Sequence, residues 1–112
     1  MKIADQPIPL DELQRMAKEQ FGDFVKVVVD IRRAVMAVGA DMHADEEQLL
    51  IEHGSQQSDL WGLNLFPEKP RDQWIEFDSM INIRPSQGNR SRSVEDQDKR
   101  TKITAIVNRL VT

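Results

Sequence analysis

VKVVVDIRRAVMAVG, Val25 to Gly39, decides the class of the fold. Both halves are rich in β-branched residues, which suit a pleated, half-buried surface better than a helix. The stretch reads as a strand, a tight turn near Ile31–Arg33 and a second strand. No Asn-Gly or Asp-Gly pair marks the turn, so its position stays open.

Working outward, PIPLDELQRMAKEQFGDF precedes the hairpin. Leu10, Leu13, Ala17, Phe21 and Phe24 recur at three- and four-residue steps, which makes one apolar stripe on a helix. Asp11 and Glu12 fall in its first turn, where the helix dipole favours acids, and Gly22 is the stop. After the hairpin, DMHADEEQLLIEHGS predicts a short helix. Asp45 is its expected N-cap, with Gln48 completing a capping box, and Gly54 is its stop. Leu60 to Phe66 reads as a third strand. WIEFDSMINIRP, Trp74 to Pro85, reads as a fourth, with Ile75, Phe77, Ile81 and Ile83 on one parity and Glu76, Asp78, Asn82 and Arg84 on the other. A final helix starts at an Asp96 cap and buries Ile103, Ile106, Val107, Leu110 and Val111. The order is α-β-β-α-β-β-α over a single domain, 1–112. The expected fold class is α+β, a mostly antiparallel four-stranded sheet with helices on one face.

Composition narrows the function classes. Hydrophobic residues at 39% and charged residues at 30% suit a globular chain rather than a disordered one. A net charge of −4 argues against general nucleic-acid binding, which needs a basic surface to release counterions. With no cysteine, disulfides, thiolate catalysis and cysteine-ligated zinc are excluded. No apolar run is long enough for a signal peptide or a membrane span, so a cytoplasmic protein is the expectation.

One basic stretch stands out in this acidic chain. Arg84 to Arg92 carries +3 and no acid, which leaves −7 for the rest. Its small and amide residues run from a strand end towards a helix start, a setting where N–H groups and guanidinium forks take phosphate or carboxylate. Arg84, Asn89, Arg90 and Arg92, with Asn82, are the candidate ligand-binding residues. The plainer alternative is a structural turn whose arginines pair with Glu95, Asp96 and Asp98. A P-loop is excluded, because the Walker spacing and its lysine are missing.

A second constellation follows from strand parity. Were the strands neighbours, Asp30, Asn64, Asp78, Asn82 and Arg84 would gather on the uncovered sheet face and orient a polar ligand. The plainer alternative is a solvated face with cross-strand ion pairs. His43, Asp30 and Asp78 are the catalytic candidates, on the ground that imidazole and carboxylates can move protons. His43 and His53 lie at opposite ends of one short helix, so no metal site is expected. Trp61 and Trp74 read as packing, and Ser79 as a small core residue.

GADMHADEEQLLIEHGS, DLWGLNLFP and IEFDSMINIRPSQGNRSRSVED together resemble a family of short bacterial proteins classed only as a domain of unknown function. The resemblance spans nearly the whole chain. Family members often carry serine at the position of Pro9 and proline at that of Gln97, both at helix starts. It implies a grouping and no activity, cofactor or site.

The leading expectation is a binding module for an anionic small molecule or an acidic protein partner at the Arg84–Arg92 loop, without a cofactor. Homodimerisation through the open sheet face or edge is a further expectation. Two alternatives stand beside it: a small hydrolase or RNase-like toxin-type enzyme, and a purely structural interaction domain.

Overall fold

A computed structural model describes all residues, 1–112. The hairpin forms where the valines place it: β2 is Val25–Asp30 and β3 is Val35–Val38. Asp30 makes the turn between them. Its Oδ1 accepts from the N–H groups of Arg32 and Arg33, both at 2.9 Å, and its Oδ2 accepts from the Ser55 hydroxyl at 2.6 Å. A buried carboxylate thus does the work of the missing Asn-Gly pair, and Ala34 takes the positive φ, 56°, that the turn requires.

The other strands are β1 (Lys2–Ala4), β4 (Leu60–Leu65) and β5 (Ile75–Glu76). All pair antiparallel in the spatial order β1-β3-β2-β4-β5. The sheet therefore has five strands, not four. The extra one, β1, is three residues long and too short to show a period.

The helices are α1 (Leu10–Glu19), α2 (His43–Glu52) and α3 (Gln97–Leu110). They do not share one face. Val27, Val29, Met36, Val38, Trp61 and Leu63 pack with Leu13 and Ala17 of α1 and with Ile103, Val107 and Leu110 of α3. The opposite parity, Val28, Ala37 and Leu60, packs against Leu50 of α2. Helices on both faces bury the central strands on both sides. Accordingly β2 is buried at five of six positions and β4 at all six. Continuous apolar runs such as Val27-Val28-Val29 are the sequence trace of that burial.

Trp74–Pro85 is not one strand. Pairing stops after Glu76, and 3-10 turns follow at Met80–Asn82 and Pro85–Gln87. Ser79 causes the break. Its Cβ and Oγ lie 2.7 Å from where a Cβ on Gly62 would stand, so the chain presses against β4 there. Its Oγ then accepts from the Ile81 N–H at 3.3 Å and starts the turn. The expected parity is lost beyond that point: Asn82 is fully buried and Ile83 is 38% exposed.

Asn82 replaces the strand that is missing. Its Oδ1 accepts from the Gly62 N–H at 2.8 Å, and its Nδ2 donates to the Gly62 carbonyl at 2.9 Å. The free edge of β4 is thus closed by Glu76 opposite Asn64, by the Asn82 amide at Gly62, and by the Arg84 guanidinium, which donates to the Leu60 carbonyl. No helix is long and apolar enough to cross a membrane.

Candidate functional site

The basic loop is tightly bonded to itself. Asn89 is buried; its Nδ2 donates to the carbonyls of Asn82 and Ser93, both at 2.7 Å, and its Oδ1 accepts from the Glu95 N–H at 2.9 Å. Arg84 donates to the carbonyls of Ile81 at 3.0 Å and Gln57 at 2.9 Å as well as Leu60, and it lies over the Trp61 ring. Glu47 of α2 approaches it to 3.8 Å. The N–H groups of Arg90 and Ser91, the natural anion nest of this loop, both point at one oxygen of Glu95, at 2.9 and 2.8 Å. The Ser91 hydroxyl and these N–H groups hold the Glu95 carboxyl below the usual carboxylate range. A carboxylate of the same chain therefore occupies the anion position. Arg90 is exposed, and Arg92 turns away to Asp78, Nε donating to Oδ1 at 2.6 Å.

The polar strand positions divide into separate places. Asp30 sits in the hairpin turn, four residues along β2 from Lys26, or about 13 Å at the rise of a strand. Asn82 and Arg84 close the edge of β4. His43 and Asp78 do come together, in a cleft of about 450 Å³ between the start of α2, the β4–β5 edge and the segment after β5. Arg92 reaches the same cleft.

Its floor follows from strand register. Lys26 pairs with Asn64, and Asn64 with Glu76, so the three form a row across β2, β4 and β5. The row lies on the α2 face, just past the apolar patch that α2 covers. Asn64 is 8% exposed; its Nδ2 donates to Glu76 Oε1 at 2.9 Å, while its Oδ1 is buried and accepts no hydrogen bond. Phe24, Met42, Met80 and Ile81 make the apolar walls, and Met42 and Met80 are 57% and 66% exposed.

The start of α2 makes the remaining wall. The helix begins at His43, two residues before the expected cap, with Met42 in the N-cap position and no side-chain cap. Asp45 is inside the first turn, so no capping box forms. The first N–H groups of a helix lack the usual helical partners. Here that of Asp45 donates to the Met42 carbonyl at 3.1 Å, and no side chain caps those of His43 and Ala44. His43 is held by its ring: Nε2 lies 2.7 Å from the Leu63 carbonyl, so Nε2 carries the proton and Nδ1 the lone pair. Burial, opposed by that hydrogen bond, lowers the His43 pKa and keeps the ring neutral at neutral pH.

One group escaped the sequence reading. Glu46 is fully buried, its Oε2 accepts from the Ala40 N–H at 3.0 Å, and its Oε1 has no partner. Burial pushes its pKa up to about 9, so it is a neutral acid at neutral pH. The signal was present in the spacing. His43, Glu46 and Leu50 stand at i, i+3 and i+7, and all three are buried.

The cleft is large enough for a small ligand and is lined by both charged and apolar side chains. The Ser79 hydroxyl is buried and spent on Ile81, so it is no activated nucleophile. Asp78 is taken by Arg92. No curated protein and no solved structure matches this chain. The family model described as "Protein of unknown function (DUF5674)" matches residues 2–110, and the chain belongs to that family.

Proposed function

We propose that this domain binds a small molecule through a carboxylate or phosphate group, in the cleft at the start of α2. The anionic ligand expected from the sequence is kept, but its place moves from the loop to the cleft, to which the loop contributes Arg92. The observation that carries the reading is a contrast between two sets of N–H groups. Those of the loop are filled by Glu95. Those at the start of α2 have no side-chain cap and border a cleft that also presents Lys26, which has no ion-pair partner, while Arg92 is paired with Asp78. Helix-terminal N–H groups and cations favour an anion jointly. The apolar walls give the rest of a ligand a surface to cover.

Amide chemical shifts followed during titration with phosphate and with acetate test this. The expected result is saturable change at His43, Ala44 and Lys26. Shifts confined to Arg90 and Ser91, or none at all, would overturn it.

A further inference from the structure

Resting on that reading, we infer that the cleft is built for a zwitterion, an amino acid with an apolar side chain. The charges that line it decide this. Asp78 and Arg92 neutralise each other at 2.6 Å. Lys26 and Glu76 remain, with no ion pair between them, on either side of Asn64. Strands lie about 4.8 Å apart, so the Cα atoms of Lys26 and Glu76 are roughly 10 Å apart across the row. One end of the cleft is therefore positive, from Lys26 and the start of α2. The other end is negative, from Glu76.

A simple anion would use only the first end. It would leave Glu76 as a repulsive wall, and it would give Asn64 Oδ1 nothing, since that atom needs a donor. An ammonium group supplies the donors. At the negative end it meets the Glu76 carboxylate, one oxygen of which already fixes the Asn64 amide. The carboxylate of the same ligand then turns to Lys26 and the N–H groups of His43 and Ala44. The side chain is left facing Phe24, Met42, Met80 and Ile81. Methionine is unbranched and polarizable, so two exposed methionines at the rim can repack around an apolar group. A purely cationic ligand fits less well, because the helix start and Lys26 repel it.

Calorimetric and NMR titration of the full chain with the proteinogenic amino acids tests the inference. For a binder such as L-leucine, the matched probes are isocaproate, which lacks the amine, and isoamylamine, which lacks the carboxylate. The expected result is an apolar amino acid that shifts Lys26, Asn64 and Glu76 and binds about tenfold or more tightly than either probe, the worth of one charged hydrogen bond. Glu76→Gln should abolish the advantage over isocaproate, weakening the amino acid because its ammonium loses a charged partner, and strengthening isocaproate because a repelling carboxylate is gone. Glu76 is exposed, so this variant folds as the parent does. If isocaproate and the amino acid bind alike, or if phosphate and acetate shift the cleft while no amino acid does, the zwitterion is overturned and the anion site stands. If nothing shifts the cleft, both readings fall.

Discussion

Glu46 and Asn82 are single side chains on which much of the α2 side depends. Glu46 is protonated in the folded chain up to about pH 9, whereas an unfolded carboxyl releases its proton near its ordinary value. Between those limits the native state holds one proton more, so folding stability falls as pH rises through this window. Each pH unit is worth about 1.4 kcal/mol, so by pH 7 the loss is roughly 3 kcal/mol. Glu46→Gln keeps an acceptor for the Ala40 N–H and cannot ionise. Urea unfolding of parent and variant between about pH 5 and 9 should show the variant gaining in relative stability as pH rises. A constant difference across the range would contradict a neutral Glu46. Asn82 works differently, since its amide both donates and accepts at Gly62. Asn82→Ala leaves a buried N–H and carbonyl without partners, at about 1–3 kcal/mol each. Asn82→Asp should be worse at neutral pH, because it sets a carboxylate against the carbonyls of Gly62 and Arg92. Denaturation midpoints in the order parent, alanine, aspartate would bear this out. The sequence placed Asn82 on a polar face because alternation ran through it. What alternation could not register is that a primary amide can stand in for a strand's backbone.

Elements show more plainly what a period can and cannot reveal. The hairpin, β4 and α3 are where the apolar spacing puts them, and Asp96 caps α3 as expected, its Oδ1 accepting from the Asp98 N–H at 2.8 Å. Helix α1 keeps Leu10, Leu13 and Ala17 on its stripe but ends at Glu19, so Phe21 and Phe24 fall outside it and Phe21 is exposed. Trp74–Pro85 keeps a strand's alternation and yet is mostly turns. Ile75, Phe77, Ile81 and Ile83 have the right parity, but the register is reset at Ser79, where contact with Gly62 decides the path. That contact is tertiary and has no local signature. The start of α2 was misplaced for a related reason: Asp45 is a good capping residue, but the buried His43 and Glu46 need the helix to begin earlier. An absent cap has a thermodynamic consequence that also bears on function. Met42→Asp supplies a side-chain acceptor to the N–H groups of the first turn and should stabilise the fold by about 1 kcal/mol. It should also weaken phosphate or acetate binding in the cleft, because the introduced carboxylate takes the ligand's place. Thermal unfolding and anion titration of one variant would then move in opposite directions. A variant that gains stability and binds anions as before would detach the helix start from the site.

At the scale of the molecule, α+β class and antiparallel pairing were legible, while layering was not. Two hydrophobic parities on β2 and β3 allow helices on both faces, but an unbroken apolar run is equally the mark of any deeply buried strand. Strand order depends on which edge β1 joins, and three residues at the edge carry no pattern. The cleft was out of reach for the same reason: Lys26, Asn64, Glu76 and His43 are brought together by register and by α2 crossing the second face. The two faces form separate clusters that share only the sheet, which leads to a prediction about cooperativity. Leu50→Ala empties a site under α2, and Leu110→Ala one under α3; both side chains are fully buried. Each should cost about 2–5 kcal/mol. Side chains on opposite faces share no partner, so the double variant should lose the sum of the two within about 0.5 kcal/mol. Every central strand serves both layers, so each single variant should still unfold in one transition, with fluorescence of the buried tryptophans and far-ultraviolet circular dichroism coinciding. Because Trp61 and Trp74 belong to the α1–α3 side, an independent α2 layer would give Leu50→Ala an early circular dichroism loss that tryptophan does not follow. Such a split would show that α2, and the cleft at its start, can open while the rest of the fold stays closed.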